Sequence, residues 1–216
     1  MMYFALIFTL LFSSLSWAES CVKEEQLKKR MVLIEKFNRG KGSGVLYGGT
    51  TVLTNRHVIE DVDMPWVWVP KLQKSIRADV LYQAPDKEAD FAILKLRERV
   101  PNTSILPLSE APKIGETLNT LGFPFGKKYK LSAVTGTFKQ RIKIKGMTHP
   151  DAMLTVLSHD QTHSGDSGGG IFNCAGELSG VHFGNQAHIG KAKNSFGVHV
   201  SAIKRILKAH NIPTNQ

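Results

Sequence analysis

The chain has 216 residues, 42% of them apolar and 21% charged, which suits one large domain or two small packed ones and argues against disorder, a collagen-like repeat or a membrane-spanning body. Its 28 Lys and Arg outnumber 18 Asp and Glu, for a net charge of +10. That balance favours anionic partners such as an acidic protein, an envelope polymer, lipid headgroups or nucleic acid without choosing among them, and no specific nucleic-acid partner is expected.

Tyr3 to Trp17 is a long apolar run that closes on Ser16-Trp17-Ala18, with small residues at the two positions a signal peptidase inspects. Residues 1–18 therefore read as a cleaved signal peptide, and a secreted or periplasmic destination is expected. The basic residue that usually precedes such a run is missing. The alternative is retention of the segment as an amino-terminal anchor, and only then is a membrane a partner. The leader holds no charged side chain, so the mature protein keeps its excess of positive charge. Two cysteines, Cys21 and Cys174, allow one intramolecular disulfide, which export would preserve; two separate thiols are the alternative.

Residues 19–30 form an amino-terminal arm, within which residues 22–30 read as a short charged helix. Residues 31–116 hold a first β-barrel and its connector. Met31 to Phe37 is the first strand, Gly40-Lys-Gly-Ser-Gly44 a turn, and Val45–Tyr47 with Thr51–Thr54 a hairpin. Further strands are expected at Val67–Val69, Ala78–Tyr82 and Phe91–Leu96. Pro101, Pro107 and Pro112 mark residues 100–116 as a connector.

Residues 117–216 resume with strand-like runs at Leu118–Leu121, Leu131–Phe138, Arg141–Lys145, Met153–Ser158, Gly170–Phe172, Leu178–Phe183 and Ser195–Val200. Their number predicts a second barrel. Ser201 is a good N-cap, and Ile203, Ile206 and Leu207 then lie at helical spacing, giving a closing amphipathic helix. The expected class is all-β.

Ser164-Gly-Asp-Ser-Gly-Gly-Gly170 carries the chemistry. A nucleophilic serine needs a tight glycine-flanked turn that exposes its hydroxyl and aims backbone N–H groups at one point. Ser167 is the expected nucleophile, with the N–H groups of Gly165 and Ser167 as the oxyanion hole. By itself this segment also reads as a structural glycine-rich turn. Thr54-Asn-Arg-His-Val58 adds a histidine after a strand, and Ala89-Asp-Phe-Ala-Ile-Leu94 adds an aspartate before a buried one. Together they predict that His57 moves the Ser167 proton while Asp90 fixes the imidazole.

Gly165-Asp-Ser-Gly-Gly169 also fits the nucleophile elbow of α/β-hydrolases, in which the acid and histidine follow the serine. After Ser167 the chain offers only Glu177 as an acid, so chain order argues against that fold.

With TNRHV at His57, DFAIL beginning at Asp90 and GDSGG at Ser167, residues 31–210 resemble the trypsin-like serine protease superfamily. GSGVLYGGTTVLTNRHVI and LGFPFG are most similar to the glutamyl endopeptidases and the high-temperature-requirement proteases, and NSFGVHVSAIKRIL to the latter. The resemblance implies a chymotrypsin-like pair of six-stranded antiparallel barrels and an acyl-enzyme on Ser167 that hydrolyses polypeptide substrates without a cofactor. The Ile-Val-Gly-Gly amino terminus of the digestive enzymes is absent, so activation by that route is not expected even though Asp166 is retained. No PDZ module follows the closing helix in this sequence, which makes gated, processive degradation a lesser expectation.

The resemblance to glutamyl endopeptidases extends to Thr162, five residues before the nucleophile, and His182, fifteen after it. In that family these positions bind the carboxylate of a glutamate preceding the cleaved bond. It further implies that the backbone of His182, Phe183 and Gly184 pairs with substrate as an added strand. The alternative is a pocket for small aliphatic side chains, as a housekeeping protease would have. His159 and His163 lack a third ligand at metal-binding spacing, so no metal is expected.

Between Lys127 and Lys145 the chain has seven Lys or Arg and no acid. A solvated strand face that discourages aggregation is one reading. A docking face for an anionic polymer is the other, which would suit a protease-like binding protein with a vestigial triad.

Overall fold

The apolar run Met31-Val-Leu-Ile34 is buried on both faces of one strand, β1 (Met31–Lys36), because alternate residues serve two interiors. Val32 and Ile34 pack with Leu46, Val52 and Leu94, whereas Met31 and Leu33 join a cluster that includes Leu121, Phe172 and Val181. The structure is a computed structural model and describes residues 21–36, 40–85, 88–142, 153–158, 162–186 and 193–214. The expected leader, Lys143 to Lys145 and His159 lie outside the described residues.

Two antiparallel barrels close with the same strand order. In the first, β1, β2 (Gly40–Leu46), β3 (Thr51–Thr54), β6 (Ala92–Leu96), β5 (Lys74–Gln83) and β4 (Trp66–Val69) are neighbours in turn, and β4 pairs back onto β1. In the second, β7 (Thr117–Gly122), β8 (Ser132–Ile142), β9 (Met153–Ser158), β12 (Lys193–His199), β11 (Leu178–Gln186) and β10 (Gly170–Phe172) follow one another, and β10 closes on β7. Among the described residues, three short α-helices accompany the strands: α1 (Glu24–Lys28), α2 (Arg56–Ile59) and α3 (Val200–Ala209). The all-β class with two six-stranded barrels and a closing helix is therefore the fold of the chain. Ile203, Ile206 and Leu207 of α3 are buried in the cluster shared by both barrels.

Three local expectations are corrected. Gly40 to Gly44 is strand rather than turn, because its glycines lie where no side chain fits: a Cβ on Gly42 would meet Val58 Cγ1 at 2.6 Å, and one on Gly44 would meet Val52 Cγ1 at 2.9 Å. Arg141 and Ile142 continue β8 instead of starting a strand of their own. Helix α3 is capped by His199, not Ser201; the His199 ring accepts the Ser201 N–H at 3.1 Å and pairs with its hydroxyl at 2.8 Å.

Cys21 and Cys174 form a disulfide across a sequence separation of 153, and the Val22 N–H donates to the Cys174 carbonyl at 2.8 Å. The bridge fastens the amino-terminal arm to the second barrel.

Candidate active site

His57 lies in α2, directly after β3, and Asp90 directly precedes β6; since β3 and β6 are paired, the two side chains come from adjacent strand ends. Asp90 holds His57 at two points. Its Oδ1 accepts the His57 backbone N–H at 3.0 Å and its Oδ2 faces His57 Nδ1 at 2.5 Å. A carboxylate accepts, so the Nδ1 of a neutral ring carries the proton and the lone pair lies on Nε2. Asn55 Nδ2 donates to the Asp90 carbonyl at 2.8 Å, which anchors the acid from the β3 side.

Ser167 sits in the turn between Thr162 and β10. In that turn some N–H groups are used and others are left free. Asp166 donates to the His163 carbonyl, Gly168 to that of His182 and Gly169 to that of Asp166. Among the described residues, the N–H groups of Gly165 and Ser167 donate to no protein acceptor. Gly165 has φ +97°, and a Cβ there would lie 2.5 Å from the Phe123 carbonyl oxygen; Gly168 has φ +87°, and a Cβ there would lie 1.9 Å from the Ser43 oxygen. Close backbone approach and left-handed geometry thus both demand glycine.

The direction of the Gly165 N–H is set from outside the turn. The Ser164 carbonyl accepts the Phe125 N–H at 2.5 Å, and because a trans peptide carries its C=O and N–H on opposite sides, the Gly165 N–H faces away from Phe125. Ser43 adds a second clamp from the first barrel. Its hydroxyl donates to the Gly165 carbonyl at 2.7 Å and accepts the Phe123 N–H at 2.8 Å, and its own N–H donates to the Ser167 carbonyl at 2.7 Å. Thr54 Oγ1 in turn donates to the Ser43 carbonyl at 2.8 Å. The sequence motif GDSGG did not reveal Ser43; its signal was the GSG segment, read there as a turn.

The Ser167 hydroxyl donates to the Phe183 carbonyl at 3.1 Å. His57 and Asp90 are thus joined directly, while the recorded bond of Ser167 goes to β11.

Thr162 and His182 are both buried. His182 is 1% exposed, and burial pushes its pKa down to about 4, against the effect of a hydrogen bond to the Phe196 backbone and with the repulsion of His57. Its Nδ1 has no hydrogen-bond partner. Thr162 is engaged by a residue that motif reading missed: Asn185 Nδ2 donates to the Thr162 carbonyl at 2.5 Å and to its hydroxyl at 3.3 Å, tying the turn to β11. The backbone of His182 is already paired, its N–H to Gly169 and its carbonyl to Gly168, so it is not available to a substrate strand. β10 begins at Gly170, which leaves the corresponding edge of β11 open from Phe183 and Gly184 onward among the described strands.

Asp166 is 2% exposed; one carboxylate oxygen accepts the His163 N–H at 2.7 Å and the other, Oδ1, has no hydrogen-bond partner. Burial raises its pKa, with the His163 N–H opposing. The His163 ring itself stacks on Phe125 at 4.8 Å between centroids.

Comparison with known proteins agrees with this geometry. Residues 42–181 match the trypsin-like peptidase domain, a span that holds His57, Asp90 and Ser167. A probable periplasmic serine endoprotease, DegP-like, of Pseudomonas putida is 31% identical over 144 residues, 65% of this chain and 28% of that protein. The serine protease Do-like HtrA of Lactobacillus helveticus is 26% identical over 147 residues, 66% of this chain and 35% of its own length. The chain therefore spans about a third or less of the curated relatives it matches. The Rv3671c protease of M. tuberculosis in its active form shares the fold with a TM-score of 0.70 at 24% identity, covering 89% of this chain and 84% of that one. By the match across most of its length, this chain belongs to the trypsin-like peptidase domain family, within the trypsin-like serine protease superfamily.

Proposed function

We propose that the protein is an extracytoplasmic serine endopeptidase that cleaves polypeptides through an acyl-enzyme on Ser167. The observation that carries this reading is the combination of the doubly held His57–Asp90 pair with a turn in which the N–H groups of Gly165 and Ser167 are both unused. His57 Nε2 takes the Ser167 proton as Oγ attacks the substrate carbonyl, and the new oxyanion is held by those two N–H groups. The imidazolium then protonates the leaving amine. Water repeats the sequence to free the acid. Asp90 keeps the ring in its Nδ1–H tautomer throughout and stabilises its positive form.

The bond from Ser167 to the Phe183 carbonyl belongs to the resting site. Rotation about the Ser167 Cα–Cβ bond to another staggered well brings the hydroxyl to the imidazole. A substrate strand added along Phe183 and Gly184 competes for that carbonyl and favours the rotation. The periplasmic names of relatives support an extracytoplasmic site of action.

The pocket reading is a preference for glutamate before the scissile bond. Thr162 and His182 support it, with one condition set by burial: His182 is neutral at pH 7 in the empty pocket, and a carboxylate placed against it favours uptake of a proton from solvent by the ring. Glutamate preference should therefore strengthen as pH falls from 8 to 6. A pocket for small aliphatic side chains would show no such trend, and the uncharged state of His182 is the observation in its favour.

Wild type and Ser167→Ala are to be incubated with casein and with a peptide library. Cleavage by wild type alone, enriched after Glu, supports both levels of the proposal. Casein cleavage retained by Ser167→Ala contradicts the first level. Equal loss of cleavage after Glu and after Ala in His182→Ala contradicts the second.

A further inference from the structure

The strand-adding edge of β11 flanks Ser167 on one side; a second flank of the same turn is built from Phe123 to Gly126 and from the start of β2. Phe125 donates its N–H to Ser164, Gly126 lies against Lys41, and Gly42 lies against the Ser167 carbonyl. With β11 assigned to the residues before the scissile bond, the residues after it leave across this second flank.

That flank is aromatic and basic. Phe125 is 60% exposed, its ring stacked on His163, with Lys127 Nζ 5.9 Å from its centroid. Lys128 Nζ lies 3.8 Å over the ring of Trp68, and Tyr129, 80% exposed, meets Trp68 edge-on at 5.9 Å. Trp68 and Tyr129 line a cavity of about 220 Å³ together with Lys28, Gln73 and Lys128.

The charge pattern of this flank asks for an anion. Among the described residues, Lys127, Lys128 and Lys130 have no carboxylate partner, whereas Lys28 is neutralised by Glu24 and Glu25, and Lys41 by Glu35. Lysine offers donors only, so the complementary ligand is rich in acceptors and negative. Lysines held over aromatic faces are also partly ordered before any ligand arrives.

We infer that this surface, formed by Phe125, Lys127, Lys128, Tyr129 and Trp68, is a docking site for an acidic polypeptide segment that follows the scissile bond. The inference rests on the proposed peptidase reading, since it is that reaction that gives the flank its polarity. An extended chain covers about 3.3 Å per residue, so acidic side chains roughly two to six positions after the bond come within reach of the lysines. Long-range attraction raises the encounter rate for such substrates, and salt weakens it.

The test uses two peptides identical up to the scissile bond, one followed by a Glu- and Asp-rich segment and the other by a Gln- and Asn-rich one. A chromogenic ester that ends at the bond is measured beside them. Wild type should show a roughly ten-fold higher kcat/KM on the acidic peptide at low salt, falling to about two-fold near 1 M NaCl. In Lys127→Gln/Lys128→Gln, and separately in Tyr129→Ala, the ratio between the two peptides should fall towards one; in Lys127→Glu/Lys128→Glu it should invert. A ratio near one in wild type, with the ester hydrolysed, overturns the docking site and leaves the peptidase reading standing. Failure of wild type to hydrolyse the ester or either peptide overturns the peptidase reading instead. If polyphosphate binds in a Lys128-dependent way while the two peptides are cleaved alike, the surface belongs to an anionic polymer and the inference is wrong.

Discussion

The two barrels share a strand order but divide the chemistry unevenly. The first holds His57 and Asp90 at paired strand ends, and its buried Ser43 and Thr54 hydroxyls are fully used in hydrogen bonds. In the second, the Thr120 hydroxyl, Asp166 Oδ1 and His182 Nδ1 are buried without a hydrogen-bond partner. Leaving buried polar atoms unpaired costs about 1–3 kcal/mol each, so a fold concentrates them where something else is gained. The first barrel has such atoms too, Asn55 Oδ1 and Trp68 Nε1, so the contrast is one of place: the hydroxyls that brace the Ser167 turn from the first barrel are hydrogen-bonded, whereas Asp166 Oδ1 and His182 Nδ1, in and beside that turn, are not.

The largest effect that sharpens this contrast is electrostatic. Asp90→Asn keeps the shape of the first barrel but offers an amide where a carboxylate fixed the Nδ1–H tautomer. We expect kcat to fall by about 10⁴-fold with little change in thermal stability. Steady-state kinetics on a peptide substrate, paired with a melting curve, checks both halves. A fall of less than about ten-fold would remove Asp90 from the relay.

Next in size is the bridge between the arm and the second barrel. Breaking it with Cys21→Ser/Cys174→Ser should destabilise the protein by roughly 5 kcal/mol in the loop-entropy view, because it closes a loop of 153 residues. Urea unfolding of the oxidised wild type and the variant measures the difference. Equal midpoints would show that the arm is not fastened by this bond.

His182 gives an effect of opposite sign to the usual histidine pair. Its folded pKa is about 4, below its ordinary value of 6.5, so below pH 6.5 the unfolded chain takes up a proton that the folded one refuses. Stability is full above about pH 6.5 and is lost as pH falls towards 4, by on the order of 3 kcal/mol. Asp166 works against this, since its raised pKa lets the fold bind a proton earlier than the unfolded chain does. Chemical denaturation of wild type and His182→Gln at pH 7 and pH 4.5 isolates the histidine; the variant should lose less. The same loss in both would mean that His182 is not the buried neutral group described.

The smallest of these effects tests the clamp from the first barrel onto the second. Ser43→Ala removes the bond to the Gly165 carbonyl and leaves the Phe123 N–H buried without its acceptor. It should cost about 1–3 kcal/mol and lower kcat more than it raises KM, because the oxyanion turn loosens. A pure KM effect would place Ser43 in substrate binding rather than in holding the turn.

The barrels and the closing helix were legible because period-two apolar runs punctuated by glycine and proline are local signals, whereas the count of six strands in the second barrel came from the resemblance, since the runs alone gave seven. His57, Asp90 and Ser167 stood out for the same reason, each lying in a short distinctive segment. What stayed hidden depends on contacts far apart in the chain. Gly42 and Gly44 look like turn residues until Val58, Val52 and the Ser167 carbonyl are packed against them. Ser43 is an ordinary polar residue until the barrels meet, and Asn185 until the Thr162 end of the nucleophile turn packs on β11; the His199 cap is a local contact to Ser201 that the better-known capping residue obscured. The paired state of the His182 backbone was likewise invisible, since its partners in the nucleophile turn become strand neighbours only in three dimensions.

The claim beneath all of this is that a base from one barrel activates a hydroxyl from the other. Mass spectrometry after treatment with a fluorophosphonate probe reads it directly: one adduct per chain, located on Ser167, formed by wild type and suppressed in both Ser167→Ala and His57→Ala. Labelling of His57→Ala at the wild-type rate, or a folded wild type that takes up no probe, would contradict it.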